Sequence, residues 1–141
     1  MATATASNRI KYKLAQGAVD FENDTFTVIL MQSGFTFDKD AHHAYADVSS
    51  DELAAGNGYT QKDKAIVFDS LTESDANDRA EALFGNAQWD ASGGSIGPAA
   101  AAVVIDETAD DTIVGCYAFD ADVTVPSGDT WLMSGFQFNI G

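Results

Sequence analysis

At 141 residues, 45 % hydrophobic and 11 % aromatic, the chain is long enough to bury a core of its own, and its composition excludes a disordered protein. Its formal charge of −15, with no Lys or Arg between Ala80 and Gly141, excludes a nucleic-acid binder, because phosphate affinity rests on cationic side chains. The longest apolar run, Gly97 to Ile105, is too short to span a membrane as a helix, and the lone Cys116 excludes an intrachain disulfide.

Residues 1–8 show no periodicity and are expected to form a flexible leader to a single domain over residues 9–141. The opening Met1-Ala-Thr-Ala-Thr-Ala-Ser has no apolar stretch of the secretory type, which predicts a cytoplasmic origin. From Asn8, the spacing of Ile10, Leu14 and Ala18 predicts a short helix or turn. Ser7 or Asn8 serves as its N-cap and Gly17 as its terminator. Arg9, Lys11 and Lys13 on this segment are three of the seven basic residues. They read either as an ordinary solvated stretch or as an arm that docks on an acidic neighbour.

Phe26 to Met31 is the clearest strand, with Phe26, Val28 and Leu30 on one face and Thr27, Ile29 and Met31 on the other. Phe35 to Thr60 is irregular, with a short helix expected near His42–Val48. A long irregular stretch inside a compact domain is usually functional, so this is where partner contacts are expected. Short strands follow at Ala65–Phe68 and Arg79–Phe84, and Gly85-Asn86 reads as a tight turn into Ala87–Trp89. Gly97–Ile105 and Thr112–Phe119 are apolar on both faces, as central strands of a sandwich are. Asp106–Asp111 reads as the loop between them, Asp120–Asp122 as a turn, and Pro126–Asp129 as another. Thr130–Ile140 closes the chain, with Phe136, Phe138 and Ile140 facing inward. Seven to eight such strands predict an all-β fold: an antiparallel sandwich or barrel of jelly-roll or immunoglobulin-like type, with a short N-terminal helix or arm.

No constellation for catalysis emerges. Cys116 lies in an apolar run, as an inert thiol does. His42 and His43 are adjacent and so point in different directions, which reads as a solvent-facing loop pair. The acidic clusters Asp106/Glu107/Asp110/Asp111, Asp120/Asp122 and Asp38/Asp40 do not match the full twelve-residue EF-hand pattern; they read as solvated turns, with a structural calcium as the alternative and no other cofactor expected. Trp89 and Trp131 read as core or interface aromatics, or alternatively as platforms of a carbohydrate-binding module.

Three runs taken together, Asn8 to Met31, His43-Ala-Tyr-Ala-Asp-Val-Ser-Ser-Asp-Glu-Leu with Gly56-Asn-Gly-Tyr-Thr, and Asn86-Ala-Gln-Trp-Asp-Ala-Ser, resemble a family of small virion structural proteins of tailed bacteriophages. A late glycine-to-phenylalanine strand, Gly115 to Phe119, belongs to the same pattern, and the similarity spans residues 8–138. The resemblance implies a capsid decoration or cement protein, made in the host cytoplasm and bound to the outer surface of the virion head. Its implied partners are the major capsid protein and further copies of itself, a trimer by class, with neither nucleic acid nor membrane. The contacts would come from the basic segment, Arg9, Lys11 and Lys13, and from the irregular stretch with His42, His43, Tyr45 and Tyr59. A tail, neck or head-fibre component of the same virion is the alternative within this class.

Overall fold

The computed structural model describes residues 3–141. It is an all-β antiparallel sandwich with two short helices. Along the chain run β1 (Thr3–Ala6), α1 (Asn8–Ala15), β2 (Phe26–Gln32), α2 (Tyr45–Val48), β3 (Lys64–Ile66), β4 (Phe68–Ser74), β5 (Arg79–Phe84), β6 (Ala87–Asp90), β7 (Ile96–Asp106), β8 (Thr112–Val125), β9 (Thr130–Met133) and β10 (Phe136–Ile140). A five-stranded sheet has the order β1-β8-β7-β2-β3; a three-stranded sheet β10-β5-β4 and a ribbon β6-β9 make up the opposite layer.

The main core lies between these layers. Phe26, Val28, Leu30, Ala102, Val104 and Val114 of the large sheet meet Phe84, Phe136 and Phe138 of the small sheet and Trp89 and Trp131 of the ribbon. Aromatic rings pack edge to face there: Phe26 on Phe84 with centroids 5.0 Å apart, Phe84 on Phe138 at 6.0 Å, and Trp89 on its cross-strand partner Trp131 at 6.1 Å. Each such side chain contributes about 1.5–3 kcal/mol by leaving water.

A second apolar cluster explains why two strands read apolar on both faces. Ile29, Met31, Val103, Ile105, Ile113 and Cys116 occupy the outer face of the large sheet and are covered by Val48, Phe35, Phe37 and Tyr45 from the chain between β2 and β3. The irregular stretch is thus a third layer, held in place by its own apolar side chains.

Several expectations are corrected. Thr3–Ala6, expected within a flexible leader, is an edge strand paired with β8 from Thr3↔Ala118 to Ala6↔Gly115; residues 1–2 lie outside the described residues. Alternating Thr and Ala give no hydrophobic amplitude to read, and what admits the strand is Gly115. A Cβ there would stand 2.5 Å from the Thr5 carbonyl oxygen and 2.7 Å from the Phe138 ring. The Gly85-Asn86 turn joins no hairpin, because β5 pairs with β4 and β10 while β6 pairs with β9. Ala65–Phe68 is two strands, since the chain changes sheets at Val67. The polar, exposed β4 that follows carries no apolar alternation. Asp120–Asp122 continues β8 instead of turning, and the closing strand breaks at Ser134-Gly135, where Gly135 takes φ +73°.

Candidate interaction surface

α1 begins where the sequence places it. The Ser7 hydroxyl accepts the Ile10 amide at 2.9 Å and donates to the Ile113 carbonyl, tying the helix start to β8. Gly17, at φ +72°, follows the C-cap. With Ile10 fully buried and Leu14 packed on the core, helical spacing sets Arg9 and Lys13 on one flank and Lys11 on the other.

The Arg9–Lys13 flank meets the loop before α2. Arg9 Nη2 donates to His43 Nδ1 at 3.1 Å and the guanidinium lies 5.8 Å from the centre of the exposed Tyr12 ring. Guanidinium offers only donors, so Nδ1 is the acceptor and Nε2 carries the hydrogen that reaches the Asp40 carbonyl at 2.8 Å. Asp47 fixes the backbone of this corner: its Oδ2 accepts the amides of His43 and Ala44 at 2.9 and 3.0 Å. Those two backbone bonds, Ala44 first, hold its carboxyl below the usual carboxylate range. Lys13 lies 3.7 Å from Asp110 on the β7–β8 loop, an exposed pair worth little energetically. Two shallow hollows result, of about 360 Å³ between Arg9, Tyr12 and His43 and about 250 Å³ between Arg9, Lys13, His43 and Asp110.

The remaining candidates lie elsewhere. His42 turns away from His43, stacks on Phe35 with centroids 5.6 Å apart, and accepts the Asp38 amide through Nδ1 at 3.0 Å, so it belongs to the packing of the loop. Tyr59 is buried, beyond the reach of a partner, and Tyr45 is half-buried. Both tyrosines converge on Glu52: Tyr45 donates to Oε1 and Tyr59 to Oε2, each at 2.6 Å, while the Lys62 amide donates to Oε2 at 2.8 Å. Burial, and then the Glu52 hydrogen bond, push the Tyr45 hydroxyl up to about 12 and the Tyr59 hydroxyl higher still. Lys62 completes the group, with Nζ 2.8 Å from Asp111 and 5.0 Å from the centre of the Tyr45 ring. Glu52 and Lys62 escaped the sequence reading because a buried carboxylate has the same letter as an exposed one. Tyr12, an exposed aromatic one residue from Lys11 and Lys13, was the visible but unused signal.

A wider hollow of about 710 Å³ separates the 35–40 segment from β7 and β8, with Phe35, Phe37, Ala101 and Ala118 in its wall. Cys116 borders it, yet burial pushes that thiol up to about 12, far from a thiolate. Trp89 and Trp131 are 2 % and 6 % exposed, which removes them as sugar-stacking platforms. Among the described residues no group of three or more His, Cys, Asp or Glu is arranged to hold a metal ion, and no helix is long and apolar enough to cross a membrane. The chain matches no family model, no curated protein and no solved structure.

Proposed function

We propose that this chain is a structural protein of a tailed-phage virion, seated as a trimer on the outer surface of the assembled head, where it contacts the major capsid protein and ties neighbouring capsomers together. The observation that supports this reading is a convergence. The Asn8–Met31 run supplies Arg9, Tyr12 and Lys13, the His43–Leu53 run supplies His43, and the two meet through the Arg9–His43 hydrogen bond on one partly exposed face. That face combines arginine, tyrosine and lysine on a chain of net charge −15. Arg and Tyr are the residue types that carry most interface energy. A modest contact by each copy, repeated over a shell, sums to strong attachment.

The test is rebinding of purified protein to heads stripped of it, followed by co-sedimentation. Wild type should return to the shells, and the double variant Arg9→Glu with Lys13→Glu should lose at least about tenfold in affinity, roughly 1.4 kcal/mol. Attachment to tails but not heads would move the protein to the neck or tail; attachment to neither would end the reading.

A further inference from the structure

Asp106 ends β7 inside the protein, 0 % exposed. Its Oδ1 accepts the Ala109 amide at 3.1 Å and so folds the loop toward β8. Its Oδ2 meets no N–H or O–H donor of the described residues. What stands beside it is a second acid, Asp24, close enough for its charge to raise the Asp106 carboxyl. The β2–β7 register explains the approach, since Phe26 is the ladder partner of Asp106 and Asp24 lies two residues before it. The Asp24 carboxylate is itself held in place by the Asp20 amide, 3.1 Å from Oδ2. A fully buried carboxyl oxygen with no donor among the described residues, set beside a second acid, is neutralised by a proton.

We propose that Asp24 and Asp106 share one proton and form a pH-sensitive latch holding the β7–β8 loop onto the start of β2. The latch has backbone companions: the Glu107 amide donates to the Thr25 carbonyl and the Thr25 amide to Thr108 Oγ1, both at 2.9 Å. The loop it holds also carries Asp110, which reaches Lys13, and Asp111, whose side chain reaches Lys62 and whose carbonyl accepts the Tyr45 amide at 3.0 Å. Opening the latch therefore loosens the loop against which α1 and α2 are set. The proposal concerns the body of the protein and does not depend on what the protein binds.

The surrounding charges leave the pair to a proton. On the β2 side stand Asp20 and Glu22; on the loop stand Glu107, Asp110 and Asp111. The cations are engaged with the loop acids, Lys62 with Asp111 and Glu107 at 2.8 and 3.9 Å and Lys13 with Asp110 at 3.7 Å. Burial first, and then the neighbouring Asp24, raise the Asp106 carboxyl from an ordinary 3.8 to about 7. The folded state thus holds a proton that the unfolded chain releases at lower pH. The stabilisation from that proton is complete below the ordinary carboxylate range and is lost as pH rises toward neutrality.

Thermal unfolding of wild type, Asp106→Asn and Asp24→Asn from pH 5 to pH 9, with and without calcium chloride, tests this. The amide of Asp106→Asn keeps an acceptor for Ala109 and offers Asp24 a permanent donor. The wild-type midpoint should fall relative to that variant by about 4 °C between pH 6 and pH 8.5, and Asp24→Asn should flatten the profile in the same way if Asp106→Asn fails to fold. Carbon-13 NMR of the aspartate carboxyls should show one coupled step near neutrality that both variants lack. Parallel pH profiles with no such step overturn the proposal. Calcium raising the wild-type midpoint at pH 8 while leaving Asp106→Asn unmoved also overturns it, because the pair would then be a cation site.

Discussion

The Tyr59 hydroxyl stands between Glu52 and Leu30: it donates to Glu52 Oε2 at 2.6 Å and accepts the Leu30 amide of β2 at 2.9 Å. One side chain thereby satisfies a buried carboxylate and a strand amide that has no ladder partner at that point. The Leu53 amide returns to the Leu30 carbonyl at 2.8 Å, and Gln32 Nε2 reaches the Glu52 carbonyl at 3.0 Å, so the irregular layer is fastened to the edge of β2 by polar contacts as well as apolar ones.

Tyr59→Phe should therefore cost more than the loss of one ordinary hydrogen bond. It leaves the ring packed but strips Glu52 of a donor and the Leu30 amide of an acceptor, both buried. The expected loss is about 1–3 kcal/mol, read as a lower urea midpoint with an unchanged denaturant slope. An unchanged midpoint would mean that water replaces the hydroxyl without penalty.

At alkaline pH the same network sets the sign of the stability change. Tyr45 and Cys116 each hold their proton up to about 12, against ordinary values of 10.0 and 9.0, and Tyr59 is shifted in the same direction. The stabilisation is complete below the ordinary values and declines as pH climbs through the folded-state values, so stability should fall between about pH 9 and pH 12. Ultraviolet titration should show late tyrosine ionisation, and Tyr45→Phe should remove one late step. Cys116 should ignore a thiol reagent in the native protein at pH 8 and react at once in denaturant; rapid native labelling would contradict its burial.

How much of this was legible depends on amplitude. β2, β7 and the first half of β8 are mostly apolar on both faces, and their double burial follows from that composition. Ser7, Ile10 and Gly17 announce α1 through local chemistry that needs no tertiary context. β1 and β4 were unreadable because Thr-Ala-Thr-Ala and Asp-Ser-Leu-Thr-Glu contain no apolar alternation; each is a strand only because a neighbouring edge, β8 or β5, supplies the ladder. At the surface site, Arg9 and Lys13 were legible as a basic run and His43 as a loop residue. Their meeting was not, since it depends on the 35–48 segment folding back over the large sheet. Tyr59 had the same sequence credentials as Tyr45, and only its place behind β2 makes it structural.

Gly115 is the residue on which the β1 edge depends. A methyl group there meets the Thr5 carbonyl oxygen at 2.5 Å, a backbone atom that cannot rotate away, and the Phe138 ring at 2.7 Å. Gly115→Ala should cost about 1–3 kcal/mol through overpacking and should release β1 first, seen as faster hydrogen exchange at the amides of residues 3–6. Loss of stability with β1 amides still protected would place the strain at Phe138 alone.

β4 is an edge strand too, and its sequence is arranged against self-pairing. Leu71, at the middle of the strand, is 55 % exposed, and the chain just before it exposes Val67 at 74 %. Such an edge invites a second strand. Asp69 and Glu73 flank Leu71 at two residues on either side, so an antiparallel copy centred on Leu71 would set Asp69 against Glu73 of its mate, like charge on like charge. Neutralising both should remove that barrier. Asp69→Thr with Glu73→Thr, two β-favouring substitutions at exposed positions, should leave the thermal midpoint within a few degrees and shift the sedimentation profile toward larger species as concentration rises. If the double variant sediments as wild type does at every concentration, then the bulge between Phe68 and Ser70, not charge, is what keeps this edge unpaired.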